Sequence, residues 1–211
     1  MKMYCLTNDR DVSEQNALEL SLEEALGEVD GFPSLEQWEG ADYQSPFLGF
    51  VNDQDEVVQF HMREGDSWEM DMPIVDRESG RAPLTLNVYV STRDVKELVD
   101  SFFRGSSSID SLLALQRQLP SVEDDIEAKL SVEKSVLAED PNLHVVHADY
   151  LLVDQHGRVV CDVRLLEPDR AASLLSAITS DTGLTVIGVD RAIQSQKQKT
   201  AASASSRTQR S

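Results

Sequence analysis

Three groups of residues, together with the two cysteines, could do chemistry, and the first group suggests a metal site. His144 and His147 are three residues apart, a spacing that places two imidazoles on one face of a helix, where they could bind zinc. The apolar residues between and after them favour a strand, on which the two side chains point to opposite faces. His147 and Asp149 would share a face, but no third ligand is placed beside them. We therefore expect ordinary strand histidines and no metal.

The second group lies in a polar turn. Asp53 and Asp55 begin like a calcium-binding loop, but Val57 stands at the fifth position of that loop, and the required glycine and distal glutamate are missing. The chain also lacks a glycine-rich phosphate loop, a GxSxG elbow and an HExxH pair. We expect no cofactor and assign no catalytic residue.

The two cysteines, Cys5 and Cys161, are too far apart in sequence to indicate a disulfide framework. Cys161 alternates with Asp162 and is expected to face inward with Val159 and Val163. This pattern predicts a buried thiol and not a nucleophile.

The third group is a set of carboxylates with a histidine. Glu69 and Asp71 are two residues apart in an alternating segment, so they would lie on one face of a strand, and His61 would lie across the ladder from them. Such a group could serve acid–base chemistry or could bind a cation. In so acidic a chain, chance placement of the two carboxylates is the simpler explanation of an acid–base arrangement.

These residues belong to a predicted antiparallel meander. The segment 47–51 is apolar, and apolar and polar residues then alternate in the segments 57–62, 68–74 and 84–90, with polar turns between the segments. One face of this sheet would be apolar. The other face would display Gln59, His61, Glu69, Asp71, Thr85, Asn87 and Tyr89.

Two helices are expected to cover the meander. Ser91 and Asp94 form a capping box, and the apolar residues that follow repeat at helical spacing as far as Phe103. An earlier capping box, Ser21 with Glu24, begins an acidic helix that ends at Gly31.

The rest of the chain predicts a smaller second portion. The expected elements are helices at 109–119 and 122–137, strands at 144–153 and 158–166, a short helix at 171–178 and a strand at 184–189. The turns of the two hairpins look alike, since Asp53-Gln54 precedes Val57-Val58 and Asp154-Gln155 precedes Val159-Val160. Either an internal repeat or the common demands of a hairpin turn would explain this likeness.

The fold class is therefore predicted to be α+β: an antiparallel meander covered by helices, a second smaller α/β portion and a disordered C-terminal tail. We place the domains at 1–105, 106–190 and 191–211. The tail is rich in Gln, Lys, Ser, Ala and Thr and has no apolar periodicity.

The formal net charge is −19, and it is unevenly distributed. Residues 1–80 contribute −16, residues 81–190 contribute −8 and residues 191–211 contribute +5. Because Lys and Arg replace the counterions around nucleic acid, the folded body is not expected to bind nucleic acid directly. A basic protein partner is favoured instead. The chain has no apolar run long enough for a membrane span and no apolar signal core, so we expect a cytoplasmic protein.

Residues 47–105 resemble small acidic immunity proteins of bacterial polymorphic-toxin systems. The resemblance is carried by Phe47-Leu-Gly-Phe-Val, an acidic turn, Val57-Val-Gln-Phe, Trp68-Glu-Met-Asp-Met-Pro, Val90-Ser-Thr and the helix that ends Ser101-Phe-Phe-Arg-Gly. It implies a stoichiometric inhibitor that binds and blocks a toxin enzyme. It assigns no individual functional residue and does not extend to residues 106–211.

The sequence therefore favours a non-catalytic acidic binding protein, an immunity protein or inhibitor, that occludes a basic partner such as a toxin or nuclease. The expected partner-binding residues are Glu69, Asp71, His61 and Tyr89. Two alternatives remain open: a structural or assembly protein of phage or plasmid origin, and an enzyme with an unrecognised carboxylate site. The sequence does not determine the oligomeric state.

Overall fold

The computed structural model describes residues 1–38, 45–63, 66–76, 79–145 and 147–208. The chain divides into two compact units, Met1–Arg117 (unit 1) and Gln118–Ser211 (unit 2). The sequence-based boundary at residue 105 lies before α3 (Ser108–Ala114), a helix of unit 1 whose Leu112 is buried. The fold class is α+β, as predicted.

Unit 1 is built on an antiparallel sheet with the strand order β7-β6-β5-β4-β1-β2, and β3 also pairs with β1. Its strands are β1 (Lys2–Leu6), β2 (Asp11–Val12), β3 (Leu18–Glu19), β4 (Phe47–Val51), β5 (Val57–Met62), β6 (Ser67–Asp76) and β7 (Arg81–Ser91). Short 3-10 turns lie at Glu14–Asn16 and Leu35–Gln37. The predicted meander is thus confirmed as β4 to β7.

The apolar face of this sheet is covered by helices. The predicted helix is α2 (Thr92–Phe103), which packs on β6 and β7 and against α1 (Leu22–Asp30). Both predicted capping boxes are present, at Ser21 and at Ser91. Of the core residues expected from alternation and helical spacing, Trp68, Met70, Met72, Val95 and Phe102 are buried, and Ile74, Val88 and Phe103 are half-buried.

Unit 2 contains a small antiparallel sheet with the order β10-β8-β9. Its elements are α4 (Val122–Glu139), β8 (Tyr150–Val153), β9 (Val159–Leu165), α5 (Pro168–Thr182), β10 (Thr185–Gly188) and α6 (Val189–Thr208). The strand expected from residue 144 begins only at Tyr150, and His144 and His147 precede it; Val146 lies outside the described residues.

A β-bulge changes which side chains of β9 share a face, so the prediction that Val159, Cys161 and Val163 face the same way is wrong. Val153 pairs with Val159 and Leu152 pairs with Cys161, so Val160 is an extra residue in the ladder. Cys161 is buried as expected, but it does not share a face with Val159. The inserted residue shifts the alternation, and Val159 lies on the face of Asp162.

The C-terminal segment begins as part of the core of unit 2. Val189 is buried, and Ala192 and Ile193 pack against the same apolar cluster. From Val189 the helix α6 continues as far as Thr208. The helix agrees with the high helix propensity of Ala, Gln and Lys. Residues 209–211 lie outside the described residues.

Candidate functional site

The candidate site is the polar face of the unit 1 sheet, opposite the face covered by α1 and α2. The register places His61 opposite Glu69, and Glu69 opposite Tyr89, in one row across β5, β6 and β7. Asp71 lies in the adjacent row. All four residues predicted to bind the partner thus lie on one face, in two neighbouring rows.

The Asp71 row extends further than the sequence suggested. Asp71 lies opposite Gln59 on β5, Gln59 lies opposite Gly49 on β4, and Gly49 lies opposite Tyr4 on β1. The Tyr4 ring occupies the space above Gly49, where an added Cβ would lie only 2.2 Å from the ring carbon Cζ. Gln59 Nε2 donates a hydrogen bond of 2.6 Å to the Tyr4 hydroxyl oxygen.

Tyr4 and Gly49 were missed by reasoning from the sequence. The one available signal was a glycine inside the strand Phe47–Val51, because such a glycine often marks the close approach of another group. The sequence alone could not identify the approaching group, since forty residues lie between β1 and β4.

Tyr4 is a neutral hydrogen-bonding group in this site. Its residue is only 4% exposed, and burial raises the pKa of the phenol to about 12. The Gln59 hydrogen bond opposes that shift, while the carboxylates of Glu14 and Asp71 add to it. The hydroxyl therefore remains protonated near neutral pH and is not a base.

Asp71 is the carboxylate at the centre of this row. Thr85, a buried residue of β7, donates a hydroxyl hydrogen bond to Asp71 Oδ1. Among the described residues, no Lys or Arg lies within ion-pair distance of Asp71. Asn87 lies opposite, and its side-chain oxygen is buried without a hydrogen-bond partner in the described part of the chain. In this row, the residues that the structure describes thus provide no counterion for the Asp71 carboxylate and no donor for the Asn87 side-chain oxygen.

The neighbouring row is electrostatically different. Arg63 Nε donates to Glu69 Oε2 over 3.0 Å, and Arg63 Nη2 contacts the same oxygen. The Glu69 side chain is 13% exposed, so its charge is both sheltered and paired. Tyr89, at the end of the row, is 64% exposed.

His61 is held between aromatic and polar neighbours. Its ring centroid lies 5.4 Å from that of Phe47, and Nδ1 lies 3.4 Å from Ser45 Oγ. Burial lowers the pKa of His61, and the nearby Arg63 guanidinium acts in the same direction, while Glu69 and Asp71 oppose it. The imidazole is therefore neutral near pH 7. This face thus presents a neutral histidine, a neutral tyrosine and a glutamate paired with Arg63 as hydrogen-bonding groups.

Unit 2 contains two further groups of titratable side chains. His147 Nε2 lies 3.4 Å from Glu133 Oε2 on α4. Lys129 Nζ bridges Asp125 at 2.9 Å and Asp162 at 3.1 Å and ties α4 to β9. Within the described ranges, no group of three or more His, Cys, Asp or Glu side chains could hold a metal ion.

Comparisons of the chain with protein-family models, with curated proteins and with solved structures found no match. The charge distribution separates the two units: unit 1 carries 24 acidic and 9 basic residues, and unit 2 carries 14 and 10. In the described part of the chain, no helix is long and apolar enough to cross a bilayer.

Proposed function

We propose that the protein is a non-catalytic acidic binding protein whose polar face in unit 1 occludes a basic protein partner. Asp71, Glu69, His61 and Tyr89 would form the binding surface. The resemblance of residues 47–105 to immunity proteins suggests a toxin or nuclease as the partner.

The observation that carries this proposal is the unpaired charge of Asp71. Its carboxylate is recessed and fixed by Thr85, and no cation among the described residues neutralises it. A partly desolvated charge without a counterion destabilises the free protein. A Lys or Arg from a partner would supply the missing counterion and would strengthen the complex by relieving this cost.

The surroundings suit such a partner. The excess of acidic over basic residues gives unit 1 a net charge of −15, which would accelerate the approach of a basic protein at low salt. The aromatic ring of Tyr89 projects beside the fixed carboxylates and offers apolar contact area to a docked surface.

The test compares two isosteric replacements in unit 1. Asp71→Asn removes the unpaired charge, and Asp53→Asn removes the charge of a turn residue whose side chain is 99% exposed. Binding of an oligolysine peptide would be measured over a range of salt concentrations. We expect Asp71→Asn to weaken binding and flatten its salt dependence far more than Asp53→Asn does, without loss of thermal stability.

Equal effects of the two replacements would mean that peptide binding depends only on the net charge. Asp71 would then no longer be part of the proposed site. The partner itself would be sought by affinity capture from the source cells with the wild-type chain and with Asp71→Asn. A basic protein retained only by the wild type is the expected result.

A further inference from the structure

A groove in unit 2 lies outside the surface described above. It is bounded by α4, β10 and α6 and has a volume of about 440 Å³. Small-molecule sites typically occupy on the order of 300–1,000 Å³, so the groove has the size of a ligand site. It is lined by residues of all three elements, among them Val122 and Ile126 of α4, Ile187 and Gly188 of β10, and Arg191 and Ala192 of α6.

The floor of the groove is apolar. Ile126 belongs to the buried cluster of unit 2, and Val122, Ile187 and Ala192 pack against that cluster while remaining partly exposed. Gly188 has no side chain to fill the space above β10. The groove therefore offers contact area to an apolar chain, directly above the core that supports it.

The rim of the groove carries positive charge. Arg191 is exposed and forms no ion pair with any residue that the structure describes. Lys199 contacts Glu123 across the groove, and this ion pair links α6 to α4. The segment from Arg191 to the end of the chain contains five basic residues and no acidic residue, in an otherwise acidic protein.

We propose that this groove binds a small amphipathic carboxylate, with its apolar chain on the floor and its carboxylate paired to the Arg191 guanidinium. A guanidinium binds a carboxylate through two parallel hydrogen bonds. The Arg191 guanidinium is available for this pairing, since it forms no ion pair with the described residues. An uncharged apolar ligand would leave Arg191 unused, and a cation would be repelled by the rim. This site is independent of the proposed partner surface in unit 1.

The test uses sodium decanoate as the probe, below its micelle concentration, and calorimetry on the full chain. We expect one decanoate to bind, and decanol to bind at least about tenfold more weakly, a difference of about 1.4 kcal/mol, because decanol cannot form the charge-assisted pair with Arg191. Chemical shifts of Val186, Ile187, Gly188 and Ala192 should change on binding.

Two arginine replacements complete the test. Arg191→Gln should weaken decanoate binding at least about tenfold while decanol binding stays the same. Arg164→Gln, which removes an exposed guanidinium elsewhere in unit 2, should have no effect. No decanoate binding, equal affinity for Arg191→Gln and wild type, or shift changes confined to other residues would each overturn the proposal.

Discussion

The β4–β5 hairpin of unit 1 and the β8–β9 hairpin of unit 2 have the same turn with different chemistry. In the first, Asn52 Oδ1 accepts hydrogen bonds from the amides of Gln54 at 2.9 Å and Glu56 at 3.0 Å. In the second, Asp154 Oδ1 accepts from the amides of His156 at 2.8 Å and Arg158 at 2.9 Å. The main chain is also bonded alike, from the amide of the first turn residue to the carbonyl of the fifth.

The groups around these turns differ. Asn52 is neutral, and its amide donates to Glu56 Oε2 at 3.1 Å, whereas Asp154 is charged and pairs with Arg158. The fourth residue is left-handed in both turns, with φ of 59° at Asp55 and 75° at Gly157. The turn therefore requires a side-chain acceptor at its first position and a left-handed fourth residue, while the charge is optional.

The strands diverge beyond the turn. β5 alternates strictly between buried and partly exposed residues, which preserves the polar face of unit 1. In β9 the bulge at Val160 interrupts the alternation, and the three residues from Val159 to Cys161 are all buried. The β5 strand thus keeps one polar face, whereas next to the second turn the residues of both β8 and β9 are buried on both faces.

The largest effect expected from this comparison is at Leu151, which occupies the position in its hairpin that Gly49 occupies in the other. Leu151 is fully buried, so Leu151→Ala should lower the free energy of unfolding of unit 2 by about 2–5 kcal/mol. Hydrogen exchange of the β8 amides measures this loss. Unchanged protection would mean that Leu151 does not support the core.

The opposite change at Gly49 tests the Tyr4 contact. Gly49→Ala places a methyl group within the space of the Tyr4 ring and should destabilise unit 1 by about 1–3 kcal/mol. The loss is measured by following tryptophan fluorescence during unfolding in denaturant. In a Tyr4→Ala background the same substitution should have much less effect. A cost that is equal in both backgrounds would assign it to the strand and not to the ring.

Local patterns predicted the elements that carry the site. The alternation from Trp68 to Met72 and the capping box at Ser91 both depend on residues close in sequence, and the structure confirms the strand, the helix and the buried face. The positions of Glu69 and Asp71 on one polar face follow from the same alternation.

Interactions between distant segments could not be predicted in this way. The pairing of β1 with β4 brings Tyr4 to Gly49, and no local pattern encodes that contact. The two turns were compared through Asp53 and Asp154, but the hydrogen bonds make Asn52 the equivalent of Asp154. Asn and Asp both accept amide hydrogen bonds through the same oxygen, so identity of residue type was a misleading guide.

The two left-handed turn residues, Gly157 and Asp55, provide a third test, in which one substitution should destabilise the protein and the other should not. Gly157→Ala introduces a side chain at positive φ, where an added Cβ meets no other atom, so the cost of about 1–2 kcal/mol should come from the backbone alone. Asp55→Gly relieves the same strain in the other turn and should be neutral or slightly stabilising, because added freedom of the unfolded chain offsets the gain. Thermal unfolding of each variant measures both. A stabilising Gly157→Ala would contradict the equivalence of the turns.

The smallest effect expected is a pH dependence confined to the second turn. Burial of the Asp154 side chain raises its pKa, but hydrogen bonds from the Arg158 amide and guanidinium and from the His156 amide outweigh this and lower the pKa to about 2. A carboxyl whose folded pKa lies below its ordinary value stabilises the protein above that ordinary value. This contribution is lost as the pH falls from about 4 through about 2.

Asp154→Asn reproduces the acceptor found at Asn52 and removes the titration. The melting temperature of wild type should exceed that of the variant near pH 6, and the difference should shrink towards zero as the pH approaches 2. Gly157→Ala, which strains the backbone of the same turn and leaves the Asp154 carboxylate in place, should give a difference from wild type that stays constant over the same range. If the difference for Asp154→Asn were also constant, the carboxylate would act only as a hydrogen-bond acceptor, and the two turns would be alike in chemistry as well as in geometry.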